Sequence, residues 1–236
     1  MLQVLEPLWT TTPETASQLR GRIEQVLDWC KARGLSSGEN PARWKNHLEK
    51  LLPARSKLSR VKHHAALSWR ELPAFMRELR DAQSISARAL EFTILTAART
   101  GETIGATWGE IDQREAIWTI PAARMKGGVE HRVPLTAAAF ATLDRGLRLA
   151  GNPFIFPGAR RGLGLSNMSM LKVLRDMRPG LTTHGFRSSF RDLAAEATNV
   201  PREIAEMCLA HRAGSAVELA YRRGDVLEKR RHLMQD

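Results

Sequence analysis

The sequence of 236 residues carries 36 Lys and Arg residues against 25 Asp and Glu residues, a formal charge of +11 at pH 7. This excess favours a polyanionic partner such as nucleic acid, a property that regulators, ribosomal proteins and nucleases share. With 43% hydrophobic residues the chain is expected to be globular, with one large domain or a large and a small one. Neither a charged-then-apolar leader nor a run of about 18 apolar residues occurs. We therefore expect a soluble, reduced protein of the cytoplasm with no membrane segment.

Residues 1–52 are predicted to form a small helical domain. Thr12 is the expected N-cap of a first helix with Pro13 at its first position, and an apolar stripe runs from Ala16 to Cys30 before Gly34 ends the turn. A shorter helix is expected at 41–52. Two or three short helices make a thin core for independent stability.

Residues 53–67 contain several cations and no acidic residue, which indicates a basic linker. Such a stretch is either a solvated tether or a contact to phosphates. The cations that we assign to a DNA interface are Arg55, Lys57, Arg60 and Lys62, together with Arg124 further along the chain.

Residues 68–236 are predicted to form a second domain that is mainly α-helical with one small sheet. Short β-rich runs at 108–112, 116–120 and 131–135 are separated by turn residues, which predicts a three-stranded antiparallel meander. Helices are expected at 71–80, 84–98, 137–149, 167–177, 184–198 and 201–209. The fold class is therefore α+β, dominated by helices.

The sequence offers no pattern typical of a metal or cofactor site. Cys30 and Cys208 have apolar neighbours at helical spacing and are expected to be buried thiols rather than a disulfide or metal ligands. No H-x-H, D-x-D or paired-cysteine cluster occurs, which disfavours a metallonuclease. We expect no cofactor.

Tyr221 is the only tyrosine and lies in a strongly basic C-terminal region. A phenol is a poor nucleophile at its ordinary pKa of about 10, so it needs nearby cations and an electrophile held in line. Ser215 and Glu218 form a capping box and Gly224 suits a C′ position, which predicts a short helix carrying Tyr221 near its end.

His184 and Arg187 lie three residues apart at the predicted start of a helix. Their side chains project from one face, beside backbone N–H groups that favour an anion. This spacing suits a phosphate, although H-x-x-R alone is a weak signal and a solvated or ion-paired arginine is the ordinary alternative.

Three more positions allow both an ordinary and a functional interpretation. Arg99 closes an apolar helix, where a cation commonly caps the C-terminus, and Glu102 is then its partner. Lys126 lies in a glycine-flanked hairpin turn, where lysines are usually exposed. His211 follows a predicted helix and could cap it.

Taken in order, these residues resemble the tyrosine recombinase family, specifically the phage-type and genomic-island integrases. The family's order is Arg, Lys in a β-hairpin, H-x-x-R, His or Trp, and Tyr. The sequence has a permitted residue at all six positions: Arg99, Lys126, His184, Arg187, His211 and Tyr221. Their contexts also match, notably Trp-Gly-Glu-Ile-Asp after the first arginine and His-Arg-Val-Pro-Leu after the lysine. The resemblance covers about 68–236 strongly and marks 1–52 as part of a core-binding domain, whose first helices and arm-type domain have no counterpart in these residues.

The resemblance implies a DNA strand transfer that uses neither metal nor ATP. Arg99 and Arg187 bind non-bridging oxygens of one phosphodiester and stabilise the pentavalent transition state. Tyr221 attacks the phosphorus and forms a 3′-phosphotyrosine, which a 5′-hydroxyl later reverses.

The remaining residues have supporting roles in the same scheme. Lys126 donates a proton to the leaving 5′-oxygen, and His184 is an acid/base partner for the tyrosine proton. His211 hydrogen-bonds a phosphate oxygen. Glu102 orients Arg99.

The family also implies partners. These are a double-stranded DNA attachment site in the bacterial cytoplasm or nucleoid, a homotetramer assembled on it from monomers, and possible help from a DNA-bending protein. The tail has Val226, Leu227, Leu233 and Met234 on one face. We expect Leu233 and Met234 to contact a neighbouring protomer, with packing against their own domain as the alternative.

Two other functions share this pattern. A catalytically inactive DNA-binding remnant would keep the fold without the chemistry, and a type IB topoisomerase would use similar chemistry as a monomer. The complete set of six residues argues against the first, and product analysis on supercoiled plasmid separates the second.

Overall fold

The computed structural model describes residues 1–54, 65–146, 148–211 and 224–235. The chain divides into two compact units, with the boundary between residues 63 and 64. Linker residues Arg55, Lys57, Arg60 and Lys62 lie outside the described residues, as does Tyr221. No helix in the described ranges is long and apolar enough to cross a membrane.

The first unit contains α1 (Leu2–Thr11), α2 (Pro13–Ala32) and a 3-10 turn at Leu48–Lys50. Its core consists of Leu5, Trp9, Ala16, Leu48 and Leu52. Trp9 anchors this core, because its ring stacks on Trp44 at 5.4 Å between centroids and its Nε1 donates to the Pro53 carbonyl at 2.9 Å.

The structure of this unit differs from the sequence analysis in three details. The segment 41–52 forms turns and the 3-10 turn instead of a helix, and Asn46 within it adopts a left-handed φ of 60°. The helix α1 was not predicted, since Pro7 lies inside it and proline disfavours a helix interior. The stripe along α2 is only partly covered: Val26 is 60% exposed, and Cys30 is half-buried rather than buried.

The second unit has eight described helices and a three-stranded antiparallel sheet in the order β1-β2-β3. The strands are β1 (Ile111–Asp112), β2 (Ile117–Ile120) and β3 (His131–Pro134), and β2 pairs with β3 from Ile117 opposite Pro134 to Ile120 opposite His131. The helices are α3 (Leu72–Asp81), α4 (Ile85–Thr96), α5 (Thr100–Ile104), α6 (Ala137–Asp144), α7 (Ser169–Met177), α8 (Gly185–Ala197), α9 (Arg202–Cys208) and α10 (Leu227–Gln235). The predicted mainly helical fold with a small antiparallel sheet is confirmed.

The central helix of this unit is α4, which contacts α3, α5, α6 and α7. It begins at Ser84, whose hydroxyl accepts a hydrogen bond from the Ala87 amide at 3.1 Å and so caps a free helix N–H. On α4, Phe92 packs against Trp118 and Phe156 with ring centroids 5.3 and 5.6 Å apart. All three rings are buried, so this aromatic cluster joins α4 to the sheet.

The predicted helix 84–98 ends earlier than expected. It stops at Thr96, because Ala97 takes a left-handed φ of 50° and closes the helix. Arg99 is therefore not a C-terminal cap: it is the N-cap residue of α5. The first predicted strand is also shorter, since 108–110 form a 3-10 turn.

Gly185, the first residue of α8, has no room for a side chain. A Cβ built there would lie 2.1 Å from the Ala65 carbonyl oxygen. We expect Gly185→Ala to destabilise the protein by about 1–3 kcal/mol, because the backbone must move apart. Thermal unfolding measures this. In the matched control Gly109→Ala, a built Cβ meets nothing within 4 Å, so an equal fall in both variants would contradict the close approach.

Candidate active site

Arg187 is the buried centre of the site. It lies in the first turn of α8 with a relative exposure of 5%. Its Nη1 donates to the Ala97 carbonyl, and its Nη2 donates to the Leu209 carbonyl at 2.5 Å and lies 3.2 Å from Nε2 of His211. The guanidinium is thus fixed by the ends of two other helices.

Arg99 approaches the same carbonyl from the N-terminus of α5. Its Nη2 donates to the Leu209 oxygen at 3.3 Å. Glu102 fixes it twice, accepting from the Arg99 backbone N at 2.8 Å and from Nη1 at 2.7 Å. Two guanidiniums that lie 88 positions apart in the sequence therefore meet at one oxygen.

The proximity of the two cations has an electrostatic cost. Burial, followed by the positive charge of Arg99, lowers the pKa of Arg187 from its ordinary value to about 10, while Glu102 and Glu206 oppose the shift. Arg187 still carries its charge at neutral pH. A bound anion would relieve the repulsion between the two arginines, which is the electrostatic property of an oxyanion-binding site.

One of the carbonyls that hold Arg187 belongs to a left-handed alanine, Ala97, and the other, of Leu209, directly precedes one, Ala210. The helix α9 ends in a Schellman arrangement: Ala210 has φ 49°, its N–H donates to Met207, and the His211 N–H donates to Glu206 at 2.9 Å. Ala97 closes α4 in the same conformation. A left-handed alanine costs about 1–2 kcal/mol, and such backbone strain is typical of functional sites.

His211 bridges Arg187 and Glu206. Its Nδ1 lies 2.6 Å from Glu206 Oε2, while Nε2 faces the Arg187 guanidinium. Because a guanidinium only donates, Nε2 accepts and Nδ1–H donates to the carboxylate. Burial raises the pKa of Glu206, but His211, Arg191 and Arg202 outweigh it and the net shift is downward.

His184 and Lys126 lie at the surface. His184 is exposed at the N-cap position of α8. Lys126 is exposed in the connection between β2 and β3, where Gly128 has φ 65°. Among the described residues, no hydrogen bond or ion pair joins Lys126 to the arginine pair.

Arg124 does not present a free cation to a partner. Its guanidinium forms an ion pair with Glu110 and donates to the Glu102 carbonyl at 2.9 Å. The assignment of Arg124 to a DNA interface stays a prediction, since a quarter of its side chain is exposed. Its contacts connect the sheet to α5, which carries Glu102, so Arg124 also supports the site through that helix.

The tail helix α10 packs on its own chain. Leu233 is 1% exposed in a cluster that includes Ala97, Cys208 and Leu209, and Met234 packs against that cluster. The expected contact of Leu233 and Met234 with a neighbouring protomer was therefore wrong for this structure, since Leu233 is already covered.

Sequence reasoning missed two residues beside the arginine pair. His131 on β3 is half-buried, and burial followed by the charge of Arg230 lowers its pKa to about 4, while Arg230 on α10 is buried at 2% exposure. His131 was noted only as part of a motif context, and a buried arginine cannot be distinguished from an exposed one by sequence.

Among the described residues, no three His, Cys, Asp or Glu side chains group as metal ligands.

The chain matches two family models. Residues 1–47 match the phage integrase central domain, and residues 66–226 match the phage integrase family. Prophage integrase IntA of Escherichia coli K12 is 32% identical over 228 residues, which are 94% of this chain and 53% of the relative. Prophage integrase IntZ of the same strain is also 32% identical, over all of this chain and 58% of the relative. The chain thus spans somewhat more than half the length of these relatives.

Solved structures share the fold at lower identity. A lambda integrase dimer bound to a COC′ core site aligns with a TM-score of 0.60 and 17% identity, over 89% of this chain and 76% of the other. A lambda integrase tetramer bound to a Holliday junction gives 0.61 and 18%, over 90% and 63%. The Tn1549 transposon integrase in complex with circular intermediate DNA gives 0.59 and 14%, over 99% and 83%. With the catalytic-domain model covering more than half of the sequence, the chain belongs to the phage integrase family of tyrosine recombinases.

Proposed function

We propose that this protein is a site-specific DNA recombinase that cleaves and rejoins DNA through a 3′-phosphotyrosine at Tyr221, to integrate or excise a mobile element. The observation that carries the proposal is the convergence of Arg99 and Arg187 on the Leu209 carbonyl. Two guanidinium groups held together in a largely buried site form a binding site for one phosphodiester.

The roles follow from the geometry of the pair. Arg99 and Arg187 bind the non-bridging oxygens of the phosphodiester and stabilise the charge that develops on attack, a task that other enzymes give to a metal ion. His211, oriented by Glu206, has its Nε2 beside Arg187. Its proposed hydrogen bond to the same phosphate requires a proton on Nε2 in place of the bond from Arg187, because a phosphate oxygen only accepts. Glu102 fixes the orientation of the Arg99 guanidinium by accepting hydrogen bonds from the Arg99 backbone N and Nη1.

The chemical steps need an incoming and a leaving group. Tyr221 attacks the phosphorus, a bond forms between its oxygen and phosphorus, and the 5′-oxygen of the next nucleotide leaves. Lys126 gives that oxygen its proton, and His184 takes the tyrosine proton. Reversal with another 5′-hydroxyl joins new strands without ATP.

The partners are proposed from the related complexes. Lambda integrase has been solved as a dimer on a core site and as a tetramer on a Holliday junction. By analogy we propose a double-stranded attachment site, and assembly from monomers into a tetramer on it. The basic stretch with Arg55, Lys57, Arg60 and Lys62 is proposed to contact the DNA backbone, since it lacks acidic residues.

A trapped covalent adduct tests the function. A suicide substrate with a nick next to the cleavage site loses its short leaving strand, so the phosphotyrosine accumulates. We expect a protein–DNA adduct that forms in excess EDTA and maps to Tyr221 by peptide mass analysis. Loss of activity on chelation, with recovery on adding magnesium, would identify a nuclease, and no adduct on any integrase-type site would identify an inactive remnant. Relaxation of supercoiled plasmid without recombinant products would identify topoisomerase chemistry.

Lys126→Ala tests the leaving-group assignment. We expect slower cleavage of ordinary DNA by roughly 10²–10⁴, the effect of losing a general acid. A substrate with sulfur in place of the bridging 5′-oxygen needs no proton, so the variant should cleave it at nearly the wild-type rate. Equal slowing on both substrates would mean that Lys126 is not the proton donor and only contacts the phosphate or stabilises the turn.

A further inference from the structure

His211 is held against Glu206 by two hydrogen bonds, one from its backbone and one from its side chain. The His211 N–H donates to the Glu206 carbonyl at 2.9 Å, and Nδ1 lies 2.6 Å from Oε2 of the same residue. Both bonds depend on Ala210, whose left-handed φ of 49° turns the chain back over the last turn of α9. The orientation of the imidazole is therefore set by the end of this helix.

The opposite side of the imidazole faces the arginine pair. Nε2 of His211 lies 3.2 Å from Nη2 of Arg187, and that Nη2 also donates to the Leu209 carbonyl that Arg99 reaches. The His211 side chain is 42% exposed, whereas that of Glu206 is 14% exposed. The ring thus has a largely buried carboxylate at one nitrogen and a proposed phosphate-binding guanidinium at the other.

The two contacts decide where the ring holds a proton. A carboxylate only accepts, so the short contact between Nδ1 and Glu206 needs a proton on Nδ1. Arg187 only donates, so without a bound anion Nε2 is an acceptor and the ring is neutral. A phosphate oxygen also only accepts. Nε2 can therefore bond a phosphate only after it has gained a proton.

Moving the proton from Nδ1 to Nε2 is unfavourable in this setting. It would leave Nδ1 and the Glu206 carboxylate as two acceptors 2.6 Å apart with no hydrogen between them. Uptake of a proton from solvent instead gives an imidazolium whose Nδ1–H stays on Glu206 and whose Nε2–H faces the phosphate. Both bonds are then charge-assisted, which makes them stronger than bonds between neutral groups.

Without an anion, the charges around the ring keep it neutral. Burial raises the pKa of Glu206, but its bond with His211 and the charges of two arginines lower it overall, so this carboxylate is ionised near neutral pH. Glu206 favours a second proton on the ring, and Glu102 offsets part of the opposing charge through its ion pair with Arg99. The cations that oppose the proton lie on α8, on α9 and at the N-terminus of α5: Arg187, Arg191, Arg202 and Arg99. A phosphate bound between the arginines reverses this balance.

We infer that Glu206 is a positioning residue that makes His211 a cationic donor: its carboxylate holds Nδ1–H, so that binding of a phosphate at the arginine pair takes up one proton at Nε2. The inference rests on the proposed function, in which this phosphate is the one that Tyr221 attacks. Because the bound state holds one proton more than the free state, oxyanion binding must strengthen as the pH falls.

Nitrogen NMR of the histidine rings, in the full chain with and without sulfate, follows this proton directly. Sulfate is a tetrahedral oxyanion whose own charge is constant near neutral pH. We expect Nε2 of His211, assigned by the loss of its signal in His211→Gln, to change from unprotonated to protonated as sulfate binds, while Nδ1 stays protonated. An Nε2 that stays unprotonated in the sulfate-bound protein, one that is protonated before sulfate is added, or no binding of sulfate would overturn the inference.

Glu206→Gln keeps the size of the side chain and an oxygen that can accept from Nδ1–H, but it removes the charge. In wild-type protein we expect the affinity for sulfate to rise about tenfold for each unit that the pH falls, over the range where only the bound state holds the extra proton. Near neutral pH this dependence should be lost in the variant. Cleavage of a suicide substrate should slow by roughly 10²-fold, the scale of one lost oxyanion donor.

Acid distinguishes this role from a purely structural one. The slowing in Glu206→Gln should shrink as the pH is lowered, because the ring then gains its proton without the carboxylate. The matched control is Glu196→Gln on α8, where the lost carboxylate pairs with Arg70 at 3.2 Å and is 51% exposed. It should leave sulfate affinity and cleavage close to wild type.

The two proposals fail in different ways. If wild-type protein forms no covalent adduct, the proposed function fails, while the sulfate titration still tests the proton on His211. If the adduct forms but Glu206→Gln keeps the wild-type cleavage rate and pH dependence of sulfate binding, only the inference fails. If Glu206→Gln does not fold, the NMR experiment on wild-type protein decides.

Discussion

Tyr221→Phe is expected to abolish covalent attachment to DNA while leaving non-covalent binding nearly intact. The substitution removes one hydroxyl, which is the nucleophile, and leaves the phosphate contacts of Arg99, Arg187 and His211 in place. Denaturing gels of reactions on a suicide substrate measure the adduct, and gel mobility shifts measure affinity. No partial activity is expected, because the chain has no other tyrosine.

Two results bear on this assignment. An adduct that persists in Tyr221→Phe would mean that another nucleophile acts, and mapping would identify it. A loss of DNA affinity together with the adduct would instead mean that the hydroxyl contributes to binding. Because Tyr221 lies outside the described residues, its assignment comes from sequence order and context, and this variant is its most direct test.

Arg187→Ala is expected to slow cleavage by roughly 10³–10⁵, the range for an arginine that stabilises the transition state of phosphoryl transfer. It also removes the donor to the Ala97 carbonyl and should lower stability by about 1–3 kcal/mol. Stability is followed by thermal unfolding. Cleavage is compared well below the midpoint, so that the two effects separate.

Two controls sharpen this prediction. Arg187→Lys keeps the charge but lacks the planar fork that reaches Ala97, Leu209 and His211 together, so it should recover little of the rate. Arg178→Ala removes an arginine that forms an ion pair with Glu78 at 2.8 Å, and should leave the cleavage rate close to wild type. Near-normal cleavage by Arg187→Lys would mean that charge alone suffices.

The sequence by itself determined the elements that follow a local pattern. Short β-rich runs between turn residues predicted the sheet, and β2 pairs with β3 within the predicted runs. The start of α8 at the H-x-x-R motif was also predicted, because helix N-termini have local signals. Short elements escaped this reasoning: α5 has five residues, and the segment 41–52 depends on Asn40 bonding back to Glu24 and Asp28.

Residue order and context were enough to select six candidate residues, yet they could not show how the arginines are held. Arg187 bonds carbonyls of Ala97 and Leu209, which lie 90 and 22 positions away. Every residue has a carbonyl, so such partners leave no trace in a sequence. The two carbonyls are available to Arg187 because the C-terminal ends of α4 and α9 both lie beside it in the fold.

Tertiary packing likewise decided which cations are internal. Arg124 and Arg230 have the same side chain as the many surface arginines, but one lies against Glu110 and the other against β3 and Cys208. The fold buries Arg230 and leaves Arg124 a quarter exposed, and burial is favourable only where carboxylate or carbonyl oxygens already face the guanidinium. The same packing covers Leu233 within its own chain, because an apolar face is buried by whichever surface the chain brings to it.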